Sequence, residues 1–193
     1  MICGVPNVGK STLVKALRGQ SIAKTGDEAG ITKVEQRIAL HKYAVLLDTP
    51  GMLWPRIDVE QSGLLLAASG AIGRNAYDDA EVALGLLARA RVRSPAALAA
   101  RYGVKGLGAS SDDALLAEVG KRHGGLRAGG QVDLQKAAER VINDFRTGAW
   151  GPVTLETPED FAHWQEAARA AQARKAQAQV ARKAEAAKGR RGG

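Results

Sequence analysis

The first eleven residues hold the feature that most constrains the fold of this chain. Residues 4–11 read Gly-Val-Pro-Asn-Val-Gly-Lys-Ser and match the pattern G-x-x-x-x-G-K-[ST]. In that pattern a loop joins a buried strand to a helix, and its backbone N–H groups surround the phosphates of a nucleotide. Only Met1, Ile2 and Cys3 precede the loop. The sequence therefore predicts a phosphate site almost at residue 1, after a short strand that buries Cys3.

Each part of this phosphate loop has a predicted role. The Lys10 ammonium reaches the β- and γ-phosphates, where it is a catalytic group, and the Ser11 hydroxyl is a ligand of Mg²⁺. The predicted nucleotide-binding residues of the loop and its helix are Asn7, Val8, Gly9, Lys10, Ser11 and Thr12. The alternative is an ordinary glycine-rich turn, which the helical composition of residues 10–17 disfavours.

A second motif, "LLDTPG", supplies the other half of the predicted site. Asp48 ends an apolar strand 38 residues after Lys10, where a D-x-x-G aspartate holds the Mg²⁺ shell through water. Gly51 then offers its N–H to the γ-phosphate, as part of both the nucleotide-binding and the catalytic set. Thr32, in "GIT", lies between the two motifs and is predicted to close over Mg²⁺ as a metal ligand and catalytic residue. These parts sense a γ-phosphate, which favours a switch GTPase over a small-molecule kinase.

Two absences from the sequence qualify that prediction. No [NT]-K-x-D tetrapeptide, the motif that reads guanine, occurs in the 193 residues. Met52 stands where Ras-like enzymes have the glutamine that orients the attacking water. Catalysis then needs another segment, a partner or a monovalent cation. Asn7 is a candidate for holding such a cation, and an ordinary loop residue is the equally open alternative.

The rest of the chain changes from strands to helices. Residues 34–40 and 43–48 read as a half-buried hairpin, so three strands are expected first, and Trp54 is expected in a core at the domain junction. Helices are expected over residues 60–72, 79–91, 94–102, 112–125 and 133–145. From Gln165 onward eight basic and two acidic residues carry +6 of the total +8 charge. This alanine-rich tail predicts a solvated, frayed helix.

Taken together, these motifs resemble the YlqF/RbgA family of ribosome-biogenesis GTPases. The resemblance covers about residues 2–158 and rests on "GVPNVGKSTL", "AKTGDEAGIT", "LLDTPGMLWP", "GLLLAASGAI" and "GKRHGGLRAGGQVD" with "VINDFRTGAWGPVTLETP". In that family the G motifs are circularly permuted, so that the base-reading motif precedes the phosphate loop. The resemblance implies an α/β fold: a partial P-loop GTPase (G) domain of permuted topology, without its upstream part, followed by a small all-helical domain and a basic tail.

The resemblance also implies domain boundaries and a function. Residues 1–58 are the phosphate half of the G domain, residues 59–158 a helical RNA-contacting domain and residues 159–193 the basic tail. The implied ligands are GTP or GDP with Mg²⁺, and the implied role is rRNA-stimulated GTP hydrolysis in late assembly of the large (50S) ribosomal subunit. Family members have a hydrophobic residue at the position of Met52 and use an upstream histidine and potassium instead. GTPase activity is therefore expected when the upstream half is supplied.

Composition sets the remaining expectations. The single cysteine cannot form an intrachain disulfide, and no apolar run is long enough to span a membrane. We expect a cytoplasmic protein, monomeric when complete, whose partners are the large-subunit precursor and its rRNA. The alternative is a non-catalytic rRNA-binding module with a vestigial phosphate loop.

Overall fold

A computed structural model of the chain describes residues 1–17, 34–104, 110–127 and 129–189. In chain order the helices and strands of these residues are α1 Lys10–Leu17, β1 Gln36–His41, β2 Ala44–Asp48, α2 Glu60–Ser69, α3 Asp79–Arg93, α4 Pro95–Tyr102, α5 Asp112–Arg122, α6 Leu134–Arg146 and α7 Pro158–Gly189. They form two compact units. The first comprises Met1–Pro55 and Leu64–Leu155, and the second comprises Arg56–Gly63 and Glu156–Gly193. The domain boundaries at residues 58 and 158 stay a prediction.

The strands β1 and β2 form the predicted antiparallel hairpin, in which Gln36 lies opposite Asp48. The expected first strand is reduced to one parallel bridge between Ile2 and Asp48, with the Ile2 N–H donating to the Leu47 carbonyl at 2.8 Å. The predicted burial of Cys3 is wrong: pairing stops at Ile2, and Cys3 is exposed where the chain turns into the loop.

The hairpin is also less covered than the alternating pattern predicts. Ile38 is the one residue of β1 that is even partly buried, so the half-buried strand expected there is wrong. β2 becomes more buried toward its end, where Asp48 is buried. Trp54, expected in a core, is 67% exposed, because the main core of the first unit lies among the helices and does not include it.

The core of the first unit belongs to its helices. The α6 helix packs against α3 and α5 through Ala138, Val141 and Ile142, whose spacing places them on one face of the helix. Leu134 has the same spacing but is 49% exposed because it opens the helix at the edge of the core. The largest fully buried side chains are Tyr102, Leu86, Leu87, Leu98, Leu116, Val119 and Val141.

Three of these helices begin where the sequence provides a capping side chain. Asp78 accepts hydrogen bonds from the backbone N–H groups of residues 80 and 81 at the start of α3. Ser111 and Asp133 accept one N–H each at the starts of α5 and α6. Each cap satisfies an N–H that has no partner within its helix, typically stabilising it by about 1 kcal/mol.

A buried ion pair ties α4 to α6. The guanidinium of Arg101 donates two hydrogen bonds to the Asp144 carboxylate, at 2.9 and 2.8 Å, and Arg140 approaches the same group at 3.3 Å. Burial by itself raises the pKa of Asp144, but the hydrogen bonds from Arg101 and the charge of Arg140 outweigh it and hold that pKa below its ordinary value. Next to this pair, Trp150 Nε1 donates to the Tyr102 hydroxyl at 2.9 Å.

In the second unit, α7 is one continuous helix of 32 residues, so the tail is helical as expected, and the fraying of its end stays a prediction. Its first part packs through Trp164, and Gln172 Nε2 donates to Asp58 Oδ1 at 2.8 Å. Every side chain of residues 171–180 is exposed, as predicted for a helix that lacks an apolar stripe. High alanine content explains why the helix persists without packing. No helix among the described residues has the length and apolar character needed to cross a membrane.

Candidate nucleotide-binding site

The phosphate loop lies directly against the end of β2. Its entry is fixed by the bridge from Ile2 to Asp48, and its exit is fixed by α1, where the Leu13 N–H donates to the Gly9 carbonyl at 2.8 Å. Within the loop Gly9 has a φ of 86° and Asn7 a φ of 56°. Glycine adopts this left-handed region without a Cβ penalty, and asparagine tolerates it better than most residues do. The loop therefore curls back over the N-terminus of α1.

The Lys10 ammonium lies inside the curl of the loop. Its Nζ donates to the Val5 carbonyl at 2.8 Å and to the Gly4 carbonyl at 3.3 Å. A phosphate held by the loop must therefore take the place of these carbonyls on Lys10. The exchange is favourable because an anionic phosphate oxygen is a stronger acceptor than a neutral carbonyl.

Ser11 and Asp48 meet although 37 residues separate them in the chain. Ser11 Oγ donates to Asp48 Oδ2 at 2.9 Å, and Asp48 is only 3% exposed. The other carboxylate oxygen, Oδ1, is buried without a hydrogen-bond partner among the described residues. A hydroxyl and a carboxylate with an unsatisfied oxygen are hard ligands, as Mg²⁺ prefers. Among the described residues, no group of three or more His, Cys, Asp or Glu side chains is placed to hold a metal ion.

Gly51 touches the backbone of the phosphate loop. A Cβ built on Gly51 would lie 2.5 Å from Pro6 Cα and 2.7 Å from Pro6 N, far inside van der Waals contact. The Met52 N–H donates to the Gly4 carbonyl at 3.3 Å, and the Thr49 hydroxyl donates to the Ile2 carbonyl at 2.8 Å. Glycine is therefore the residue that permits this approach, and the contact between Gly51 and Pro6 was not predicted from the sequence.

The structure brings together most of the predicted site. The residues that gather around the loop are Asn7, Val8, Gly9, Lys10, Ser11, Thr12, Asp48 and Gly51. Thr32 lies outside the described residues, so its position over a metal stays a prediction. The roles in binding and catalysis also stay predictions.

Comparison with known proteins follows the same motifs. A family model described as "50S ribosome-binding GTPase" matches residues 1–92. A protein named ribosome biogenesis GTPase A, from Bacillus licheniformis, is 42% identical over 161 residues, which make up 83% of this chain and 56% of that protein. Over these residues the chain belongs to the ribosome biogenesis GTPase A family. It spans just over half the length of this relative.

More distant relatives and solved structures agree with this family. Nucleolar GTP-binding protein 2 of Schizosaccharomyces pombe is 31% identical over 163 residues, covering 82% of this chain and 29% of that protein. The crystal structure of GNP-bound YlqF from T. maritima aligns with a TM-score of 0.52 and 26% identity, covering 81% of this chain and 57% of that one. A GDP-bound YlqF structure aligns with a TM-score of 0.54 and 25% identity, covering 81% of this chain and 59% of that one. The fold is therefore the predicted α/β GTPase architecture with helices after the phosphate half.

Several side chains of this member of the ribosome biogenesis GTPase A family do not contribute to the site. Met52 is 74% exposed, and its thioether can neither orient nor deprotonate water. His41 lies exposed in β1 and His163 exposed in α7, whereas His123 packs edge-on against Tyr102 at 5.3 Å between ring centroids. His41 and His163 are therefore surface residues, and His123 has a structural contact.

One contact of the loop was not foreseen from the sequence. Asn7 Nδ2 donates to the Gly70 carbonyl, 63 residues away, at 2.9 Å. Gly70 follows α2 at a φ of 85°, and the Arg146 guanidinium lies beside it. The glycine after a helical run in "LLLAASG" marks a helix end, but nothing local indicates that a loop residue binds there.

Proposed function

We propose that this chain provides the phosphate-binding and RNA-contacting part of a GTPase that acts in late assembly of the large ribosomal subunit. The observation that carries the proposal is the hydrogen bond of 2.9 Å from Ser11 to buried Asp48, beside Lys10 and Gly51. It joins the two motifs of a γ-phosphate sensor in one site. The names of the relatives support the assembly role, and the match to a GTPase family supports GTP and GDP with Mg²⁺ as ligands.

In this proposal each residue of the site has one task. Lys10 leaves the carbonyls of the loop and neutralises the β- and γ-phosphates. Ser11 ligates Mg²⁺ directly, while Asp48 holds its water shell through the oxygen that otherwise lacks a partner. Bound Mg²⁺ neutralises charge that develops on the phosphates during transfer. Gly51 reports the γ-phosphate through its N–H, and Thr32 is the residue that we propose closes over the metal.

Turnover needs more than these residues provide. Met52 cannot position water, so the group that does so is supplied by a further segment, by RNA or by a cation. Potassium near Asn7 is the cation that we propose for this role. Guanine selectivity also requires a base-reading group, because the 193 residues contain no [NT]-K-x-D.

The proposed RNA contacts use the helical domain and the tail. Residues 165–193 carry eight basic and two acidic side chains, a net +6. Such a segment attracts RNA phosphates by releasing counterions, without reading sequence. The chain has no aromatic residue after Trp164 and so has no stacking platform in the tail. We propose that rRNA stimulates hydrolysis, and that the protein acts as a cytoplasmic monomer.

The decisive experiment is a titration of this chain with fluorescent GDP in Mg²⁺, competed separately by GTP and ATP. We expect weak binding that both competitors displace, because the phosphates are held and the base is not read. Displacement by GTP alone would show that guanine is read without the motif and would overturn this account of selectivity. GTP turnover is then compared with and without large subunits, and an unchanged rate would favour the non-catalytic RNA-binding module.

A further inference from the structure

The contact between the phosphate loop and the end of α2 offers a physical connection from the nucleotide site to the helical part of the first unit. The α2 helix ends in a tight glycine turn: the Gly70 N–H donates to the Ala67 carbonyl at 3.0 Å and the Ala71 N–H to the Leu66 carbonyl at 2.9 Å. This pairing is the Schellman motif, with Gly70 in the left-handed conformation. The Gly70 carbonyl then points outward and accepts the Asn7 amide.

The same helix end is held from its other side by α6. Arg146 Nε donates to the Ala68 carbonyl and Arg146 Nη2 to the Ala67 carbonyl, both at 2.8 Å. Arg146 Nη2 also donates to the Tyr77 hydroxyl at 3.0 Å. A planar guanidinium that makes three hydrogen bonds is rigidly oriented. The last turn of α2 is therefore clamped between the phosphate loop and α6.

We propose that Asn7 is a positioning residue that couples the conformation of the phosphate loop to the α2–α6 junction. The proposal rests on the proposed nucleotide site and adds the route by which that site and the helical core influence each other. Asn7 is located between Pro6, which lies against Gly51, and Gly9, which opens α1. When Lys10 exchanges the loop carbonyls for a phosphate, the loop moves. Because Asn7 is part of the loop, its side chain then moves relative to Gly70.

The coupling must act in both directions. If the position of the α2 end changes the affinity for nucleotide, then nucleotide changes the stability of the α2 end by the same factor. A ligand that shifts α6, such as RNA on the helical domain, would then alter nucleotide affinity through Arg146 and Asn7. One neutral hydrogen bond sets the size of the effect, which is about threefold to tenfold in affinity.

The test combines two variants with a matched control. Asn7→Gly removes the amide and preserves the positive φ, so the loop keeps its backbone conformation. Arg146→Gln releases the α2 carbonyls. Arg140→Gln is the control, because Arg140 is also an arginine of α6 and pairs with Asp144 instead of α2. Circular dichroism and thermal unfolding confirm that each variant folds.

Hydrogen exchange tests the coupling in the nucleotide-free protein. We expect Asn7→Gly to speed exchange of the Gly70 and Ala71 amides. Arg146→Gln should also speed exchange at the Met52 amide, which is bonded to the Gly4 carbonyl of the loop. Arg140→Gln should leave the Met52 amide unchanged. The proposal fails if Arg146→Gln speeds amide exchange in α2 alone and Asn7→Gly leaves the exchange rate of the Gly70 amide unchanged. Asn7 would then not couple the phosphate loop to the end of α2.

A double-mutant cycle on fluorescent-GDP affinity provides the second readout. Arg146→Gln should weaken binding about threefold to tenfold when Asn7 is present and less than about twofold in the Asn7→Gly background. Equal effects in both backgrounds would overturn the proposal. If the unmutated chain binds no nucleotide, the proposed function fails by itself, and hydrogen exchange alone decides the coupling.

Discussion

Ser11 and Asp48 form a hydrogen bond of 2.9 Å that leaves one buried oxygen of the carboxylate without a partner among the described residues. An unsatisfied buried acceptor costs about 1–3 kcal/mol. A ligand that satisfies this oxygen therefore recovers a cost already present in the free protein. A hydrated Mg²⁺ beside a phosphate is a ligand of this kind.

The first prediction concerns this carboxylate. Asp48→Asn keeps the shape and the partner of Ser11 but removes the charge, so the Mg²⁺ concentration needed for half-maximal nucleotide binding should rise about 10–100-fold. A Mg²⁺ titration with fluorescent GDP measures it. Asp58→Asn is the control, since Asp58 is exposed and pairs with Arg56. An unchanged Mg²⁺ requirement in Asp48→Asn would remove Asp48 from the metal site.

Lys10→Ala should abolish nucleotide binding. The Lys10 ammonium donates to the Val5 carbonyl at 2.8 Å and to the Gly4 carbonyl at 3.3 Å, so it places a positive charge against the phosphate loop. Lys42→Ala is the matched control, because Lys42 lies at the hairpin turn over the ring of Tyr43. Fluorescent-GDP affinity measures both variants. Equal affinity in Lys10→Ala and the unmutated chain would contradict the assignment of the phosphate loop.

Gly51→Ala should weaken nucleotide binding more than tenfold without unfolding the helical core. The added Cβ would lie 2.5 Å from Pro6 Cα, so either the loop or the segment after β2 must shift. Such a shift would move the backbone of the loop away from the positions in which it can contact the phosphates. Gly73→Ala is the control, since a Cβ there meets nothing within 4 Å. Retained affinity in Gly51→Ala would show that the loop accommodates the methyl group.

Local chemistry made much of this fold predictable. The phosphate loop, the β1–β2 hairpin and the helices depend on residues that are close in the chain, so their patterns can be recognised in the sequence. The amphipathic face of α6 is likewise a local period of 3.6 residues. For these elements the sequence and the structure agree.

Contacts between distant residues could not be predicted in this way. The bonds from Asn7 to Gly70 and from Arg146 to Ala67 span 63 and 79 residues, and no period or spacing encodes them. Burial of Cys3 and Trp54 was wrong for a related reason. An apolar residue type indicates that burial is favourable, but whether another element covers it is decided by the rest of the fold.

Charges at the end of the tail should contribute to RNA binding mainly at low salt. Residues 176–193 contain five basic residues and one acidic residue, a net +4, beyond the part of α7 that binds Asp58 through Gln172. Replacing those five basic residues by glutamine keeps the length of the helix. The slope of log affinity against log salt should then become less steep by up to about 4, the value expected if all five residues contact phosphates. This slope is measured by the binding of an rRNA fragment between 50 and 300 mM salt, roughly the range in which phosphate contacts weaken. An unaltered slope would exclude the tail from RNA binding.

Asp144→Asn should lower the stability of the protein at neutral pH. It should also reduce the amount of stability that the protein loses when the pH is lowered. The folded state holds the pKa of Asp144 below the unfolded value, although burial opposes this, because Arg101 and Arg140 stabilise the charged form. Its contribution is therefore complete above the unfolded pKa of about 3.9 and is lost as the pH falls through the folded pKa. Leaving Arg101 without its carboxylate should cost about 1–3 kcal/mol at pH 7.

Thermal unfolding at pH 7 and at about pH 3 measures this dependence. The difference between Asp144→Asn and the unmutated chain should be large at pH 7 and should shrink in acid, when Asp144 itself becomes protonated. Asp113→Asn, at an exposed position in the first turn of α5, provides the matched control. A stability difference that is the same at both pH values would show that Asp144 acts through its shape and packing instead of its charge.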